Sequence, residues 1–115
     1  MTNSRAAVHA QAAAGRWARL TLMEQMAHIG SEVERAIRAD ESGREARFEH
    51  ALTRALELFD LTAADPRWRG PRRREILRAR EEFCRLFFAD DVLPHLRSGL
   101  QNYFLQFAVA ARLSS

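Results

Sequence analysis

Residues 48–70 read FEHALTRALELFDLTAADPRWRG, a periodic helix that runs into a corner. At 100° per residue, Phe48, Ala51, Leu52, Ala55, Leu56, Leu58, Phe59 and Thr62 lie on one continuous arc. His50, Thr53, Arg54 and Glu57 fall on the other side, and Arg47, Glu49, Arg54 and Glu57 favour helix without needing burial. Leu61 lies off the arc, so the following loop or a partner has to cover it. Asp65-Pro66 stops the helix, because Pro disfavours the α region in the residue before it. Trp68, between Arg67 and Arg69, is expected to fold back and plug the end of a bundle.

The same period recurs on both sides of this stretch. Upstream, Thr21 and Glu24 have the spacing of a capping box. The helix they open carries Leu22, Met26, Ile29, Val33, Ala36 and Ile37 on its apolar stripe. Gly30 sits inside that stripe, where a missing side chain lets another helix approach or permits a bend. Glu24, His28, Glu32 and Arg35 lie outside it at spacings that suit surface pairs. Ser42-Gly43 ends the helix, with Gly as the left-handed cap, and the second helix spans about Glu45 to Ala63. Downstream, Gly70-Pro71 starts a third helix with Pro at a favoured first position. Its main stripe is Ile76, Ala79, Phe83, Leu86 and Phe87, and Ala89-Asp90-Asp91 ends it. A fourth helix, about Leu96 to Leu113, carries Leu96, Leu100, Tyr103, Phe104, Phe107, Ala108 and Ala111. Four amphipathic helices with short links predict an all-α fold, an antiparallel up-down four-helix bundle. Residues 1–14 read as a flexible or helical N-terminal extension, and residues 15–115 as a single domain.

Composition bounds the function. With 115 residues there is room for one core. No apolar run approaches the roughly 20 residues of a bilayer span, so no membrane role is expected. A lone Cys84 excludes an internal disulfide and fits a reducing, cytoplasmic setting. All 18 basic residues are Arg, which points to genome composition, and a formal net charge of only +3 does not by itself indicate nucleic-acid binding. Four His with one Cys, and no His-x-x-x-His spacing, offer no metal site. No Gly-rich phosphate loop, paired carboxylates or Ser-His-Asp order appears, so neither a cofactor nor catalytic residues are expected.

Three features remain as candidate sites. The first is a basic cluster of Arg67, Arg69, Arg72, Arg73, Arg74, Arg78 and Arg80 beside Trp68. Three of these arginines crowd the first turn of the third helix, against its dipole. Arg67, Trp68, Arg69, Arg72, Arg73 and Arg74 would supply guanidinium forks and a stacking ring to an anion or a phosphate backbone. The ordinary alternative is pairing with Asp65, Glu75 and Glu81. The second is Arg80, which lies within the apolar arc of its helix. A buried guanidinium needs a carboxylate, and Glu34 and Asp60, at the rims of their own stripes, are expected to form a buried ion pair with it. The third is a pair of extra apolar stripes, Leu77, Cys84 and Phe88 on the third helix and Leu105, Val109 and Leu113 on the fourth. A bundle needs one apolar face per helix, so the surplus suggests a dimer interface. The alternative is cover in cis by the N-terminal segment with Trp17 and Leu20.

The runs HIGSEVERAI (28–37), ALELFDLTAADPRWRG (55–70), RAREEF (78–83) and YFLQFAVAAR (103–112) resemble a group of small uncharacterised prokaryotic helical-bundle proteins. That resemblance implies the bundle and brings no activity. Size and helix order are more loosely similar to the HEPN and nucleotidyltransferase-partner bundles, some of which cleave RNA or bind a nucleotidyltransferase. Their catalytic signature is an Arg and a following His with four to six residues between them, and only Arg44 and His50 have that spacing here. With 18 Arg in the chain such a match arises by chance, and Glu45 after Arg44 departs from the family's arrangement. The reading is therefore a non-enzymatic bundle that forms a homodimer and acts through protein–protein contact. The alternative is an RNA-binding or RNA-cleaving bundle that uses the Arg67–Arg80 surface.

Overall fold

A computed structural model describes residues 15–91 and 94–113; the expected extension, residues 1–14, lies outside them. Four long helices dominate: α1 (Leu22–Glu41), α2 (Glu45–Ala63), α3 (Pro71–Phe88) and α4 (Leu96–Leu113), preceded by a single helical turn at 15–17. No strand occurs among the described residues.

Local chemistry sets the boundaries. The Thr21 hydroxyl accepts from the Glu24 backbone N–H, while the Thr21 N–H donates to the Glu24 carboxylate. Those bonds hold the Glu24 carboxyl below its ordinary value, the backbone bond contributing most. At the far end of α1 the chain turns through Gly43, whose φ of +67° is cheap only without a Cβ. Ser42 and Gly43 donate back to the carbonyls of Arg38 and Asp40. Pro71 occupies the first turn of α3, as its missing N–H allows.

The helices touch in a closed ring. α1 packs most extensively on α2 and α4, and α3 touches α2 and α4 more sparsely. Along the α1–α4 seam Glu41 meets Arg97, Glu34 meets Gln101 and Gly30 meets Phe104, so one helix descends as the other ascends. Gly30 earns its place here. A Cβ on it would come within 2.9 Å of the Phe104 Cβ, so only Gly lets the two backbones close to this distance. Ile29, Val33, Ala36, Ala55, Phe59, Ile76, Ala79, Phe83, Leu100 and Phe104 fill the centre. Phe59 lies 5.8 Å from Phe83 and 6.0 Å from Phe104, and so joins three helices through ring contacts. Leu61, off the main arc, is half-buried against this core.

Candidate functional site

The corner after α2 is built around one carboxylate. Asp65 ends the helix and turns inward, with only 4% of its side chain exposed. Arg67, two residues on, clamps it: the Arg67 backbone N–H and Nε donate to Oδ1 at 3.0 and 3.1 Å, and Nη2 donates to Oδ2 at 2.8 Å. The same Nη2 also reaches the Leu20 carbonyl at 2.8 Å, tying the chain before α1 to this corner. Gln25, fully buried on α1, completes the set. Its Nε2 donates to Asp65 Oδ2 at 3.2 Å and to the Trp17 carbonyl at 2.8 Å, and its Oε1 accepts from the Trp68 indole at 2.7 Å. The Trp17 indole donates to Thr62 Oγ1, which donates in turn to the Leu58 carbonyl. The Arg67 bonds, with help from Gln25, outweigh burial and hold the Asp65 carboxyl down from 3.8 to about 2. Every polar group of Gln25 is therefore used, which is what a buried amide requires.

This arrangement corrects the expected anion surface. Trp68 is not available for stacking: it is buried, its N–H is spent on Gln25, and Arg67 lies over its ring at 4.5 Å with Arg72 at 5.6 Å. Arg67 is spent on Asp65, and Arg73 donates to the Asp65 carbonyl at 3.1 Å. Of the six residues, Arg69, Arg72 and Arg74 are exposed with no carboxylate within ion-pair distance among the described residues.

The expected buried ion pair is corrected as well. Arg80 Nε does meet Asp60 Oδ1, at 3.0 Å, but the side chains are 35% and 63% exposed, so this is a surface pair that links α3 to α2. Glu34 is elsewhere, shared between Arg38 and Gln101. Arg80 escapes burial by lying along the seam and extending its head outward.

The six residues of the expected interface do not form one patch. Leu77 and Phe88 are exposed and Cys84 is half-buried. Their row adjoins Arg80, and so lies at the α2–α3 seam. Leu105, by contrast, lines a groove with Gly30, Ser31 and Glu34 of α1. The row Leu105, Val109 and Leu113 thus rises from the α1–α4 seam. In a closed ring those two seams are opposite. Trp17 and Leu20 cover neither row: with Leu58 and Leu61 they line a hollow between α1 and α2.

A cleft of about 630 Å³ opens where α1 ends and α2 begins. Arg35, Arg38, Arg44, Arg47 and His50 line it, with Ala39, Ala46 and Ala51 as its small apolar wall and Glu32 as its one carboxylate. Arg35 pairs with Glu32 and Arg38 with Glu34. Among the described residues Arg44 and Arg47 have no carboxylate within ion-pair distance. Arg44 and His50, the pair with the HEPN-type spacing, both line this cleft; the sequence does not show that Arg35 and Arg38 of the preceding helix stand across from them. Sequence reasoning passed over Gln25, which carries no signal beyond its place one turn before Ile29. Among the described residues no three His, Cys, Asp or Glu side chains group as metal ligands, and no helix is long and apolar enough to cross a membrane. No family model, curated protein or solved structure matches the chain.

Proposed function

We propose that the chain is an antiparallel up-down four-helix bundle that acts as a non-enzymatic, self-associating interaction module. The observation that carries this reading is the row Leu105, Val109 and Leu113, which are 59%, 47% and 82% exposed. Three large aliphatic side chains one turn apart on an outward face lower the free energy only when something covers them. A two-fold dimer needs a patch that meets itself, and two patches on opposite faces cannot both serve one such contact. The α4 row is the better candidate. No charge interrupts it, whereas the one-turn step from Leu77 lands on the exposed Glu81, and charges are depleted from interface centres. The α3 row is left for a different protein partner. The single, half-buried Cys84 thiol suits a reducing cytoplasm.

Light scattering on a sizing column tests this. The wild type should elute at twice 13.2 kDa. Leu105→Arg with Val109→Arg should give a folded monomer, because neither residue belongs to the core, while Leu77→Arg with Phe88→Arg should remain a dimer. A wild-type monomer, or an α4 variant that still dimerises, would sink the reading. The competing nucleic-acid reading rests on Arg69, Arg72 and Arg74. It predicts absorbance of bound nucleic acid that a high-salt wash removes.

A further inference from the structure

We propose that the α1–α2 cleft binds a phosphate monoester carried on a flat, apolar body, the chemistry of a nucleoside monophosphate. This goes beyond self-association and does not depend on it. The reasoning begins with charge. Of the four arginines lining the cleft, Arg35 and Arg38 are balanced by Glu32 and Glu34. Arg44 and Arg47 are not balanced among the described residues, and both line the cleft where α2 begins. Two unbalanced forks match a dianion, and the planar guanidinium donates to phosphate oxygens in pairs.

The backbone adds to this. Arg44 is the residue before α2 and supplies no side-chain cap, so the first backbone N–H groups of the helix receive no capping bond from it, and Glu45 is the one acid of the first turn. By contrast Thr21 and Glu24 cap α1 in full, while α3, which starts after Gly70, is uncapped like α2. Between the arginines the lining is partly apolar: Ala46 presents an exposed methyl and the buried Ala39 and Ala51 close the lining beside it, a small surface against which a planar ring can lie. The volume, about 630 Å³, is that of a small-molecule site. A bare phosphate would use the arginines and waste this wall, and an uncharged nucleoside would do the reverse.

The test uses the full chain and amide chemical shifts, titrated with inorganic phosphate, adenosine 5′-monophosphate and adenosine. Adenosine 5′-monophosphate should move the amides of Glu45, Ala46, Arg47 and Ala51, and should bind at least tenfold more tightly than either inorganic phosphate or adenosine. Arg44→Gln with Arg47→Gln should weaken it at least tenfold and leave the melting temperature unchanged, since both side chains are exposed. Arg72→Gln with Arg74→Gln, at the other end of the molecule, should not weaken it. The proposal is overturned if adenosine binds as well as the monophosphate, or if the Arg72/Arg74 variant loses as much as the Arg44/Arg47 variant. A single-stranded RNA lacking a terminal phosphate that displaces the monophosphate at equal nucleotide concentration would also overturn it, in favour of a strand.

Discussion

Replacing Asp65 with Asn removes one charge and one acceptor from the most densely bonded point in the molecule. The wild-type carboxylate receives three donors from Arg67 and one from Gln25. An asparagine keeps one oxygen and turns its NH₂ toward the donors that Oδ2 served, so Arg67 Nη2 and Gln25 Nε2 lose an acceptor. The scale of the effect follows from the carboxyl's depressed acidity. Its folded value of about 2, against an ordinary 3.8, corresponds to stabilisation on the order of 2 kcal/mol at neutral pH. Because the folded value lies below the unfolded one, this contribution is present above pH 3.8 and is lost as pH falls through 2. Nearly all of it should remain at pH 4, roughly half near pH 3 and little at pH 2.

Circular dichroism melts of both proteins between pH 7 and pH 2 read this directly. At neutral pH the variant should melt roughly 10 °C lower, given the few degrees per kcal/mol expected for a domain of this size. The gap should narrow most steeply between pH 4 and pH 2. Equal melting temperatures at pH 7 would refute the network's role. A gap that stays constant down to pH 2 would show that the loss is one of shape and not of charge.

Other outcomes follow from the same geometry. Gly30→Ala should destabilise by about 1 kcal/mol, the strain against Phe104 exceeding the helix preference gained, whereas Gly99→Ala, with open space around its Cβ, should stabilise by a similar amount; thermal melts give both signs. Thr21→Ala should cost about 1 kcal/mol by opening the capping box, again read from melting. Tyr103 donates to Glu75 at 3.1 Å, and burial and that carboxylate push its phenol well above the ordinary 10, so the only tyrosine should show no ultraviolet ionisation step at pH 11 until the protein unfolds. Trp68→Phe should destabilise by about 2 kcal/mol, since the ring is largely replaced but Gln25 Oε1 is left without its donor.

What could be read from the chain is what local physics decides. Thr21 with Glu24, Gly43, Asp65-Pro66 and Pro71 each set a boundary within a few residues of themselves, and the structure puts the helix ends there. The stripes containing Met26, Phe59 and Phe83 became the core because the 3.6-residue period fixes which face must be buried. Gln25 was invisible because its partners lie 8, 40 and 43 residues away, and no short window contains them. The two apolar rows were visible as rows but not as separate patches. A helical wheel gives the angle of Leu77 from Ile76, but it cannot say whether α2 or α4 stands on that side. Only the ring of contacts decides this, and it places Arg80, and with it Leu77, beside Asp60.

The two ends of α2 are chemically unlike, and this bears on where binding belongs. At its last turn Thr62, Asp65, Arg67 and Trp68 meet Trp17 and Gln25, and each of their named polar groups has a partner inside the protein. A ligand that used these groups would have to break a bond to make one, which leaves only Arg69, Arg72 and Arg74 beside them for an anion at this end. At its first turn there is no cap, two arginines lack carboxylates among the described residues, and the adjoining wall is alanine. A ligand there replaces only water. Arginines are about as dense at either end, so density does not identify a site. What distinguishes Arg44 and Arg47 from Arg67 and Arg73 is that the fold has not already used them.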